Sequence, residues 1–147
     1  MRTTDSELDI PRRILTGTGL FAARARAERA GAISLGQTAV LRQLQKGGAI
    51  TPGAVAERLL TQPQSLSRTL AALEEQGWIR RRPDPDDGRQ SLLEITPAGT
   101  EVLAAEMRPR EIWLAGALEQ LTDAERDLLV IAAGLLERLS EDRRWRR

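Results

Sequence analysis

The sequence predicts a mainly α-helical chain carrying one small β-hairpin, on three observations. Apolar residues recur at helical spacing through most of its length. Four of the predicted helices open on a Ser or Thr cap, at Ser34, Thr51, Thr96 and Thr122, two of them with proline next. Only residues 78–95 switch to an extended pattern, around the turn-rich tip Asp84-Pro85-Asp86-Asp87-Gly88-Arg89.

A chain of 147 residues is one domain, or one domain with a dimerisation appendage. The net charge of +1 argues for neither nucleic acid nor membrane, so the distribution of charge matters more than its sum. Of the 22 basic residues only Lys46 is lysine, which reads mainly as the codon bias of a GC-rich genome. Cysteine and histidine are absent. That excludes disulfides, thiol redox sensing, the usual zinc sites and any Cys or His catalysis, and nothing suggests a cofactor. No apolar run approaches the ~20 residues of a membrane span, and the N-terminus lacks a signal-peptide core, so a soluble cytoplasmic protein is expected.

Taken in order, residues 1–5 are polar and expected to fray. A first helix should begin near Asp9-Ile10 with Pro11 in its first turn, placing Ile10, Ile14, Phe21 and Ala25 close to one face. Gly17 and Gly19 weaken it by ~1 kcal/mol each, so it needs a packing partner, either a second subunit or an intrachain core. Ser34 and Gln37 form a capping box for a helix carrying Val40, Leu41 and Leu44, which Gly47-Gly48 stops. Ala49-Ile50 is a short extended piece able to edge the hairpin. Thr51-Pro52 starts a helix with Val55, Ala56, Leu59 and Leu60, Thr61-Gln62 turns the chain, and Pro63 opens a further helix ending at Gly77. After the hairpin, Thr96-Pro97 begins a long helix with Val102, Leu103, Met107, Leu114 and Leu118, in which Pro109 should produce a kink. Thr122 and Glu125 cap the last helix, which carries Leu128, Leu129, Ala132, Leu135, Leu136 and Leu139 and frays into a basic tail at 143–147. That tail is either a solvated terminus or a nucleic-acid contact. The terminal helices hold more apolar surface than a small domain can cover, and two copies packing together would resolve this.

The helix after Pro63 is the informative one. With Leu66 at zero and ~100° per residue, Leu70 and Leu73 lie within roughly 40° and make a buried stripe. Gln64, Arg68 and Glu75 fall near the opposite side, with Ala71 and Ala72 flanking. Gln64 and Arg68, one turn apart above two alanines that permit close approach, suit a helix entering a major groove, where arginine bonds guanine and glutamine bonds adenine. Ser65 and Ser67, near the positive end of the helix, suit phosphate contacts. Glu75 reads as solvated surface. In the hairpin, Arg81 or Arg82 would meet phosphate and Gly88 lets the chain turn so that Arg89 points outward. Asp84 or Asp86 would hold Arg89 in one pose for insertion into a narrow minor groove. A salt-bridged surface hairpin is the plainer alternative, although exposed pairs contribute only ~0–1 kcal/mol.

Asp84-Pro85-x-Asp87-x-Arg89 followed by Leu93-x-Ile95-Thr96-Pro97-Ala98-Gly99 resembles the wing motif of the multiple-antibiotic-resistance regulator (MarR) family. Pro63-Gln64-x-Leu66-Ser67-Arg68-x-Leu70-x-x-Leu73-Glu74-x-x-Gly77-Trp78-Ile79-x-Arg81 resembles its recognition helix and first wing strand, and Leu121-Thr122-x-x-Glu125 the start of its last helix. The resemblance implies a winged helix-turn-helix domain over 32–96 and a helical dimerisation region over 1–31 and 97–147. It also implies a homodimer that binds a palindromic double-stranded DNA operator, usually to repress, and releases it when a small aromatic effector enters a crevice between the two parts. By position, Phe21 and Trp113 would line that crevice or pack in the core. Absence of cysteine excludes the family's oxidation sensors. The rival readings are a winged-helix protein–protein interaction module without specific DNA binding, and an enzyme. No activated nucleophile, metal site or phosphate loop supports the latter.

Overall fold

The computed structural model describes residues 5–141 of the chain; the basic tail read at 143–147 lies outside them. A 3-10 turn at Asp5–Leu8 leads into α1, Asp9–Ala27. Then come α2 (Leu35–Gly47), α3 (Pro52–Leu59), α4 (Pro63–Glu75), β1 (Ile79–Pro83), β2 (Ser91–Ile95), α5 (Pro97–Leu118) and α6 (Asp123–Glu141). The architecture is mainly α with one antiparallel hairpin, whose register runs from Ile79 opposite Ile95 to Pro83 opposite Ser91.

Side-chain oxygens cap the helices where the sequence places them. Ser34 Oγ accepts the Gln37 amide at 3.1 Å while the Gln37 side chain accepts the Ser34 N–H at 2.8 Å. Thr51 and Thr96 each accept the amide three residues on, and Thr122 and Glu125 bond reciprocally. These bonds satisfy donors that a helix start leaves free. Gly77, at φ 69°, lets the chain leave α4 for β1.

The core gathers Val40, Leu41 and Leu44 of α2, Val55 of α3, and Leu66, Leu70 and Leu73 of α4. Ile33 precedes them, and Ile79, Leu93 and Leu103 of α5 close the cluster. Ile50 pairs with Leu93 through two backbone bonds (3.2 and 2.8 Å), so the short extended piece does edge the hairpin.

One element differs from the sequence reading. Leu60 does not join the apolar face of α3: it ends that helix in the left-handed region (φ 51°, ψ 39°) and is 82% exposed. Reversing direction within Thr61-Gln62 requires a left-handed residue there, and no glycine is available. Pro109 lies inside α5, which runs from Pro97 to Leu118 as one helix. It faces, with Ala105, Arg108, Ile112, Trp113 and Glu28, an open crevice of about 700 Å³.

Candidate nucleic-acid interface

α3 and α4 pack as a helix-turn-helix, with the Leu66–Leu70–Leu73 stripe of α4 on the core. The opposite face of α4 is thereby turned to solvent: Gln64, Ser65, Ser67 and Arg68 are all exposed. No side chain caps the N-terminus of α4, where Gln62 precedes Pro63. The partial positive charge of the first turn is therefore open to an anion. Ser67 donates its hydroxyl to the Pro63 carbonyl at 2.9 Å and would have to release it to donate to phosphate. Arg68 projects one turn beyond Gln64.

The three consecutive arginines of β1 are divided by the strand period of two. Arg81 shares the face of Ile79 and reaches back to α4, pairing with Glu74 and donating to the Ser91 hydroxyl at 3.3 Å. This ties the recognition helix to the wing. Arg80 and Arg82 lie on the outer face and share one carboxylate, Glu94, with Arg80 at 2.9 Å. The two guanidiniums, Arg82 before Arg80, hold the Glu94 carboxyl below the usual carboxylate range. One carboxylate against two arginines leaves that face net positive.

The wing tip is built by short-range carboxylate bonds. Asp84 accepts the Asp86 N–H at 2.9 Å, while Asp87 accepts the Gln90 side-chain amide at 2.9 Å and the Arg89 N–H at 3.1 Å. The Gln90 bond first, and the Arg89 bond second, keep the Asp87 carboxyl below its usual range and hence ionised at neutral pH. The sequence points to Asp84 or Asp86 as the residue that orients Arg89; the carboxylate bonded to the Arg89 backbone N–H is that of Asp87. The reason is reach: an Asp side chain closes onto the amide two residues ahead, which from Asp84 is Asp86 and from Asp87 is Arg89. Among the described residues no ion pair joins Arg89 to Asp84 or Asp86, and Arg89 is exposed.

Phe21 and Trp113 do meet, their ring centroids 5.8 Å apart, and the Arg24 guanidinium sits 5.0 Å over the Trp113 ring. Both aromatics line a crevice of about 480 Å³ where α1, α2 and α5 converge, together with Ala25, Arg42, Met107 and Arg110. Glu74, Asp87 and Glu94 are site residues that the sequence reading passed over. Counting hairpin register back from the tip would have paired Arg80 with Glu94; nothing local signals Glu74. Among the described residues no helix is long and apolar enough to cross a membrane.

A solvent-facing polar helix beside an arginine-tipped hairpin, both carried on one small helical core, defines a winged helix-turn-helix DNA-binding protein. The sequence profile of the MarR family matches residues 33–90. The HTH-type transcriptional regulator Mb0904 of Mycobacterium bovis is 41% identical over 110 residues, 75% of this chain and 77% of that one. Of solved structures, RV1404 from Mycobacterium tuberculosis superposes with a TM-score of 0.77 at 25% identity, over 99% of this chain and 100% of the other. Apo wild-type MarR from Escherichia coli shares the fold, with a TM-score of 0.72 at 22% identity, over 87% and 96% of the two chains. The chain belongs to the MarR family and is a transcriptional regulator.

Proposed function

We propose that this regulator is a homodimeric repressor that binds a palindromic operator and lets go of it when a small aromatic ligand occupies the Phe21–Trp113 crevice. The observation that carries the reading is the uncovered surface of the terminal helices. Neither α1 nor α6 contains a buried residue in the single chain. Of the fifteen large hydrophobic residues exposed among those described, twelve lie on these two helices, from Ile10 and Leu15 to Leu128 and Leu139. Burying one such side chain is worth about 1.5–3 kcal/mol, and so long an apolar surface calls for a partner. A second copy supplies the matching face by two-fold symmetry. On this reading residues 32–96 dock on DNA while 1–31 and 97–147 dimerise.

A two-fold dimer presents its recognition helices to major grooves about 34–36 Å apart. Gln64 and Arg68 read base edges, Ser65 and Ser67 anchor phosphate, Arg89 enters the minor groove, and the outer arginines of β1 add charge. A ligand that prefers a dimer of different spacing lowers operator affinity by its differential affinity for the two states. Selecting bound duplexes from a random DNA pool tests the core of this reading. The expected product is an inverted repeat bound with a steep inverse dependence on salt. Unselective or salt-independent binding would instead favour a protein–protein module.

A further inference from the structure

We propose that Glu106 is a positioning residue for DNA binding: its buried carboxylate cross-links the two segments that join the winged part to the terminal helices, and thereby sets the separation of the recognition helices in the dimer. The inference rests on the dimeric reading above.

Glu106 is 0% exposed, in the middle of α5 and three residues before Pro109. Its Oε2 accepts the backbone N–H of Ala32 at 3.1 Å, and its Oε1 accepts from Arg29 Nε at 3.4 Å and Arg110 Nη2 at 3.2 Å. Arg29 also donates to the Ile33 carbonyl at 2.6 Å, and Arg110 to the Met107 sulfur at 3.2 Å. The contacts of Ala32 and Arg29 converge on the linker between α1 and α2, where Gly31 (φ 79°) turns the chain.

The place of this cluster in the connectivity gives it its task. Along the chain α1 joins the winged part through residues 28–34, and the hairpin continues into the terminal helices through α5; Lys46 of α2 also pairs with Glu141 of α6 at 2.8 Å. A linker not bonded to α5 would leave α1 free to shift against the winged part; a bond between the two attachments removes that freedom. Glu106 supplies the bond, and through a backbone amide, so it fixes the register of the linker as well as its proximity.

The chemistry fits a geometric role better than a stabilising one. A buried carboxylate and its arginines are costly to desolvate, and apolar residues of similar volume commonly serve stability as well. The Arg110 Nε is itself buried without a partner. What apolar residues cannot reproduce is a directed bond to the Ala32 N–H.

The test uses the full-length protein and the operator obtained by selection, as a single half-site and as duplexes with the half-site separation varied one base pair at a time. Wild-type protein is compared with Glu106→Leu, which cannot accept the Ala32 N–H, and with the double variant Glu106→Met/Arg110→Met. The double variant removes both buried charges and guards against a fold lost through one unpaired ion. The expected result is that each folded variant binds the half-site within about twofold of wild type. Its preference for the best separation should fall about tenfold, the size of a typical coupling between sites. Variants that keep the wild-type preference, or lose affinity equally at every separation, overturn the inference and leave the dimeric reading standing. A wild-type protein indifferent to separation overturns both.

Discussion

A single methyl group at position 99 tests how the wing is held. Gly99 is buried in the first turn of α5, where a Cβ would stand 2.0 Å from the Trp78 carbonyl oxygen and 2.9 Å from Cγ1 of Ile95. Contacts under 3.0 Å essentially never occur, so α5 must withdraw by about 1 Å or the Trp78 peptide must rotate. Either movement disturbs the bond from the Thr96 N–H to that same carbonyl (3.0 Å) and the bond from the Thr96 hydroxyl to the Gly77 carbonyl (2.7 Å). Overpacking costs about 1–3 kcal/mol and a lost hydrogen bond about 1 kcal/mol, against a helix-propensity gain of about 1 kcal/mol for Ala over Gly. Gly99→Ala should therefore destabilise the chain by about 1–3 kcal/mol. Urea unfolding at fixed protein concentration reads this as a lower midpoint with an unchanged slope. Gly53→Ala is the control, since its Cβ meets nothing nearer than Thr51 Oγ1 at 4.0 Å, and it should be neutral or stabilising by up to about 1 kcal/mol. A Gly99→Ala protein as stable as wild type would refute the claim that a backbone carbonyl is packed against this turn.

Leu60→Gly should raise stability by about 0.5–1 kcal/mol, because the left-handed strain it relieves exceeds the added entropy of the unfolded chain and the lost side chain is largely solvated. An unfolding midpoint that drops would mean the Leu60 side chain packs more than its exposure implies. Arg89→Ala should weaken operator binding, and Arg68→Ala should also blur base preference by about 1–3 kcal/mol at one position; unchanged binding in both would sink the assigned DNA contacts. Acid should loosen the wing: Asp87 and Glu94 have lowered folded-state pKa values, so their stabilisation is complete above the unfolded value of about 4 and is lost as pH falls through the folded one. The amide resonance of Arg89 should move below about pH 4, and a flat titration there counts against the Asp87 bond. Pro109→Ala should blunt ligand-dependent release if α5 transmits the signal, and release identical to wild type would remove it from the pathway.

Much of this protein is legible in the chain because the relevant forces are local. A cap is a bond from an amide to a hydroxyl three residues earlier, so Ser34, Thr51, Thr96 and Thr122 mark helix starts without reference to anything distant. The Leu66–Leu70–Leu73 stripe orients α4, and orienting α4 exposes Gln64 and Arg68 by geometry alone. Local reasoning reaches its limit within the wing, where Asp84, Asp86 and Asp87 stand side by side and only the folded turn assigns Asp87 to Arg89. It does not reach Glu106 at all, since on a helical wheel a glutamate in α5 reads as solvated surface. Its burial depends on Ala32, 74 residues earlier in the chain, and on two arginines. The pairing of Arg81 with Glu74 and the approach of Gly99 to Trp78 are of the same kind. Sequence determined the elements, their caps and the faces they turn outward, because each follows from neighbours within one helical turn or one strand repeat. Tertiary structure alone decided which charges are committed to one another and which remain free for DNA, because a charge's partner is set by how the elements pack.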